Sequence, residues 1–104
     1  MDIINFIRDI NANLKSVFQD YLGLYFFGSR SRGDSREYSD YDMVFVFRKK
    51  PDWKEKENIR DIVYRREVEY GMVVDGKYYS QEEMENCRTP FLKSVCKAGK
   101  FYAV

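Results

Sequence analysis

Leu24-Tyr25-Phe26-Phe27-Gly28-Ser29-Arg30-Ser31-Arg32-Gly33 is followed, after a short polar stretch, by Ser39-Asp40-Tyr41-Asp42-Met43-Val44-Phe45-Val46-Phe47. Each half contains an apolar run of the length expected for a strand buried on both faces. Gly28-Ser29 closes the first run, and Asp40 and Asp42 open the second. Alternate side chains of a strand share a face, so Asp40 and Asp42 point the same way. Two carboxylates side by side repel unless a cation lies between them. One or two carboxylates completed by substrate phosphates is the usual way a protein holds Mg²⁺. A Gly-Ser turn leading into a helix offers backbone N–H groups and a positive dipole end to phosphate. The stretch therefore predicts a nucleoside triphosphate held by metal on one side and by backbone on the other. Ser29 is expected on the phosphates and also as a helix N-cap. Arg30 and Arg32 either neutralise phosphate charge or pair with neighbouring carboxylates.

Gly28-Ser29, ten intervening residues and then Asp40-Tyr41-Asp42 resembles the signature of minimal nucleotidyltransferases in the DNA polymerase beta superfamily. The resemblance implies a small α+β fold, a mixed sheet of about four strands packed with helices. It implies nucleotide binding by Gly28, Ser29, Arg30 and Arg32, and metal binding by Asp40 and Asp42. Mg²⁺, in a two-metal arrangement, and ATP as substrate come with it.

The bounds agree with one small domain spanning 1–104. Basic and acidic residues number 18 and 17, so charge provides no handle for general nucleic-acid or membrane binding. No apolar run is long enough to span a bilayer, and the acidic N-terminus does not read as a signal peptide. Cys87 and Cys96 lack metal-ligand spacing and are expected as reduced thiols in a cytoplasmic protein. The chain has no histidine. Any proton acceptor must then be a carboxylate or water.

Upstream of the motif, Ile3, Ile7, Ile10, Leu14, Val17, Phe18 and Tyr21 recur at helical steps. They predict a helix over 2–21, with Asp2 as cap and Gly23 as stop. Downstream, Pro51-Asp52 opens a helix carrying Trp53, Ile59, Ile62, Val63 and Val68 inward and ending near Tyr70-Gly71. Met72-Val73-Val74 starts a third strand. Asp75-Gly76 is itself a hairpin signal, but a single strand to about Ser80 is preferred, with Asp75-Gly76 as a bulge or polar break. Ser80 to Glu83 has the form of a capping box. Thr89-Pro90 opens a further helix that Gly99 stops, and 101–104 is a terminal strand at a sheet edge.

Members of the superfamily use a third carboxylate, on the neighbouring strand, to bind the catalytic metal and activate the attacking hydroxyl. The family pattern places that position near Val73, which cannot ligate a metal. Asp75 shares its face by parity but lies about 7 Å further along an extended strand, so the expectation is that Asp75 serves only if the strand is bulged. Glu69, at the end of the preceding helix, is the second substitute.

Chains that look like this one are often the antitoxin of a toxin–antitoxin pair, thought to adenylylate a tyrosine on an HEPN-type ribonuclease toxin. The enzyme reading is thus transfer of AMP from ATP to a protein hydroxyl, catalysed with Asp40, Asp42 and Asp75. The competing readings are a catalytically impaired module that binds nucleotide and occludes a toxin, and a small-molecule transferase acting on an aminoglycoside-like acceptor. Nine tyrosines and an apolar terminal strand also suit a homo-oligomer or a toxin-binding face.

Overall fold

Strands that are apolar on both faces need cover on each, and helices drawn from both ends of the chain provide it. The computed structural model describes residues 3–27 and 40–104. Its elements run α1 (Ile3–Val17), β1 (Tyr21–Phe27), β2 (Tyr41–Phe47), α2 (Trp53–Tyr70), β3 (Val74–Ser80), α3 (Gln81–Asn86), α4 (Pro90–Ala98) and β4 (Lys100–Ala103). The fold is α+β. The described strands form one mixed sheet of order β3-β2-β1-β4, in which β1 is antiparallel to both its neighbours and β2 and β3 are parallel. A parallel pair needs a crossover, and α2 is that crossover. One face packs Leu24, Phe26, Met43 and Phe45 against Phe6, Ile7, Ile10 and Leu14 of α1 and Ile59 and Val63 of α2. On the other face Val44 and Val46 meet Met84, Leu92 and Val95 of α3 and α4.

Local signals account for most boundaries. Asp52 and Glu55 form a reciprocal capping box at the start of α2, and Gly71 ends it in the left-handed conformation. Ser80 and Glu83 do the same for α3, and Thr89 caps α4 with Pro90 in its first turn. Trp53 and Val68, expected inward, are instead exposed, at 66% and 65%; α2 buries only the narrow stripe around Ile59 and Val63.

The N-terminal expectation needs correction. The first helix stops at Val17, and Gly23 is no helix stop: Tyr21 to Gly23 belong to β1. The pairing of β1 with β2 shifts between Tyr21 and Gly23. This irregularity adds a residue, so Tyr21 and Leu24 both reach the α1 face although they stand three apart. Tyr21 also stands three residues after Phe18, and both pack into this core; that step looks helical, which is why the periodicity runs on past Val17. Tyr21 is fully buried, and burial pushes its phenol well above the usual range. Its hydroxyl donates to Asn11 Oδ1 at 2.5 Å, and Asn11 Nδ2 donates to the Tyr102 carbonyl at 3.1 Å. Tyr21→Phe should strand the buried Asn11 oxygen and cost about 1–3 kcal/mol in urea denaturation.

Asp75-Gly76 makes neither a hairpin turn nor a bulge. β3 runs through it in unbroken register with β2. The glycine is there for space: a Cβ at position 76 would sit 2.8 Å from the Phe45 ring, which lies stacked on Tyr78.

Candidate active site

Strand register decides what meets at the end of the sheet where the site is expected. Phe27, the last residue of β1, pairs with Asp42 on β2, and Asp42 pairs with Asp75 on β3. Neighbouring strands are about 4.8 Å apart, and residues paired across them share a face. Asp42 and Asp75 therefore stand side by side on the α3–α4 face. Asp40 is exposed just ahead of β2 at the same end. Partial burial holds the Asp42 carboxyl above its ordinary range. The negative charges of Asp75 and Asp40 push the same way, and the Lys77 ammonium opposes them. Burial and the neighbouring like charges both disfavour the ionised form, and a cation between the carboxylates would offset both.

Lys77 is the next β3 residue on this face, in register with Val44. Its Nζ lies 3.6 Å from Asp75 Oδ1 and 5.4 Å from the centroid of the Phe91 ring. Phe91, in the first turn of α4, packs edge-on against Phe27 at 5.5 Å. The carboxylates thus have a lysine inboard of them and an aromatic wall beside it. Among the described residues, no three acidic or thiol side chains converge closely enough to cage a metal. Two facing carboxylates with Asp40 nearby are nonetheless a hard-oxygen donor set, and Mg²⁺ takes such a set when substrate oxygens complete its shell. The donors fit the ion on those terms.

A family model described as polymerase beta, nucleotidyltransferase matches residues 12–100. The chain belongs to that family. A Methanocaldococcus jannaschii protein named as a candidate protein adenylyltransferase is 29% identical over 100 residues, spanning 95% of this chain and 97% of the relative. A candidate nucleotidyltransferase from Sulfolobus solfataricus is 25% identical and superposes with a TM-score of 0.60, over 95% of this chain and 78% of that one. A toxin–antitoxin structure with AMP-PNP is 20% identical, with a TM-score of 0.65 over 93% of this chain and 69% of that one. At that identity the last likeness speaks for the fold alone.

Within this polymerase beta nucleotidyltransferase, the residues expected at the site separate into three groups. Asp42 and Asp75 are brought together, with Asp40 beside them. Gly28, Ser29, Arg30 and Arg32, the short helix expected from Ser29 and the loop over 33–39 lie outside the described residues, as does the cap Asp2. Val73 and Glu69 are the two that do not stand opposite Asp42. Val73 precedes β3, is 59% exposed, and accepts a hydrogen bond from the Tyr41 N–H at 2.8 Å. Glu69 remains on α2 and pairs with Arg66 at 3.4 Å. The expectation that Asp75 reaches Asp42 only through a bulge is overturned: the regular parallel register already sets it opposite Asp42. Neither Lys77 nor Phe27 is expected at the site from the sequence. Parity from Asp75 marks the face of Lys77, but pairing is needed to put Phe27 beside Asp42. Cys87 and Cys96 are free thiols that share the Met84 carbonyl, at 2.6 and 3.5 Å; burial raises the Cys96 thiol to about 11.

Proposed function

We propose that this chain is a Mg²⁺-dependent nucleotidyltransferase that moves AMP from ATP to a hydroxyl of a partner protein, an HEPN-type toxin, and so acts as its antitoxin. The observation that carries the reading is the in-register pairing of Asp42 with Asp75, next to Asp40. Family membership supports nucleotidyl transfer, and the name of the M. jannaschii relative supports a protein acceptor. The toxin–antitoxin neighbour with AMP-PNP has a matching fold and supports the nucleotide and the class of partner.

In this reading Asp40 and Asp42 hold the metal that accompanies the triphosphate, and Asp75 completes the set. Bound there, Mg²⁺ supplies charge neutralisation at the transferring phosphoryl group. Asp75 orients the acceptor hydroxyl and takes its proton. The hydroxyl oxygen bonds to the α-phosphorus, the bond from that phosphorus to the bridging oxygen breaks, and pyrophosphate leaves. Gly28 and Ser29 seat the phosphates, with Arg30 and Arg32 beside them. The Lys77–Asp75 ion pair favours a second reading, in which nucleotide binds but transfer is impaired and the chain occludes the toxin.

Calorimetric titration of Mg-ATP into the wild type and into Asp40→Asn/Asp42→Asn, followed by a pyrophosphate-release assay with the partner toxin added, separates the two. Binding lost in the double variant together with partner-dependent release supports the enzyme. Binding without release supports occlusion. No magnesium-dependent binding removes both nucleotide readings.

A further inference from the structure

Lys77 has no part in the transfer step above, yet its ammonium sits against a carboxylate of the site. Two residues from Asp75 on an extended strand, it shares that face, and its stem is long enough to bend back to the carboxylate. Its ammonium has two anchors, Asp75 Oδ1 at 3.6 Å and the Phe91 ring at 5.4 Å. It also acts electrostatically on Asp42, so it serves both members of the facing pair. The ion pair is partly exposed at both ends, and such pairs are weak enough to exchange. The aromatic face offers the ammonium a second resting place when the carboxylate is taken.

We propose that Lys77 is a tethered counter-cation of the Asp42–Asp75 pair, which competes with divalent metal and thereby sets the metal concentration at which the site loads. This rests on the reading of Asp42 and Asp75 as metal ligands. Ammonium and metal need the same oxygens, so the ammonium leaves Asp75 when metal arrives. In the metal-free protein it holds the two carboxylates together against their mutual repulsion. Lys77 is on this account a positioning residue that tunes loading rather than a group that touches the reacting atoms.

The test counts free Mn²⁺ by electron paramagnetic resonance during titration of the full chain, without nucleotide. Wild type, Lys77→Met, Lys77→Arg and Asp42→Asn are compared. Methionine keeps an unbranched stem beside Phe91 and removes the charge; Lys77→Gln replaces it if its thermal melt shows loss of fold. The expected result is Mn²⁺ affinity about three- to tenfold tighter in Lys77→Met, since a repelling charge is removed and a competitor with it. Lys77→Arg should stay near wild type, and Asp42→Asn should lose binding. Mn²⁺ binding seen in Lys77→Met but too weak to measure in wild type supports the proposal too. Equal or weaker affinity in Lys77→Met, with binding still lost in Asp42→Asn, overturns the role of Lys77 and leaves the metal reading standing. If neither wild type nor Lys77→Met binds Mn²⁺ alone, the titration is repeated with a nonhydrolysable ATP analogue and read the same way; no binding beyond that of the analogue itself in either protein overturns both. A purely structural Lys77–Phe91 contact would lower the melting temperature without moving metal affinity.

Discussion

Asp75→Asn is expected to slow nucleotidyl transfer by about 10²- to 10⁴-fold, the range over which a positioned proton acceptor contributes. The substitution keeps the size and shape of the side chain and removes only its charge and basicity. Asp75 is half exposed and its ion pair with Lys77 is of the weak surface kind, so stability should change by less than about 0.5 kcal/mol. Transfer is to be followed as pyrophosphate release with the partner present, and stability by urea denaturation of the same samples. A loss of transfer without a loss of stability places Asp75 in the chemistry. Unchanged transfer would remove it and with it the three-carboxylate centre. Adding Val73→Asp to Asp75→Asn provides the sharper control. Val73 stands ahead of β3 and Asp75, not Val73, lies opposite Asp42, so a carboxylate at 73 should not restore transfer.

Gly23→Ala is expected to cost about 2–4 kcal/mol of folding stability, from steric overlap and backbone strain together. Gly23 has φ +147°, and a Cβ built there would stand 2.4 Å from the Tyr102 carbonyl oxygen and 2.8 Å from the Phe101 ring. The ring can turn away; the carbonyl belongs to β4, whose Tyr102 pairs with Leu24 in the ladder, and it also accepts from Asn11. Relieving the clash therefore means pushing β4 off β1. Gly71→Ala isolates the dihedral part. Gly71 has φ +67° with nothing within 4 Å of where a methyl would stand, so only the left-handed cost of about 1–2 kcal/mol should be measured there. Chemical denaturation of both variants checks the difference. Equal costs would mean that β4 yields to the methyl without penalty.

The contrast between those glycines also shows what could be read from sequence. Where a boundary depends on a few adjacent residues, it was legible: the caps at Asp52, Ser80 and Thr89, the stops at Gly71 and Gly99, and the apolar run from Tyr41 to Phe47. The end of α1 was not, because Tyr21, a strand residue, stands three residues after Phe18 and four after Val17, a spacing that a helix would also produce. The same limit applies at the site. Asp40 and Asp42 announce themselves by alternation within one strand. The partner of Asp42 on β3 depends on how far α2 carries the chain before it returns, and no local pattern encodes that offset. Parity made Asp75 the right face but left its height along the sheet open, so Val73 took the position on paper. Phe27 at Asp42's other side is hidden for the same reason.

The crossover has a consequence for when the centre exists at all. Asp42 lies on a central strand with neighbours on both sides, whereas β3 is held in the described sheet by β2 alone. The 18-residue α2 lies between β2 and β3 in the chain, and closing that longer connection costs more entropy than closing the shorter one between β1 and β2. A nascent chain thus displays half of the carboxylate pair well before the other half arrives. In the finished protein, fraying of the outer strand withdraws Asp75 and Lys77 together and leaves Asp42 in place. Amide exchange should accordingly be faster along β3 than along β2, and a ligand that bridges the two carboxylates should slow β3 selectively, making that strand's protection a gauge of occupancy that needs no turnover.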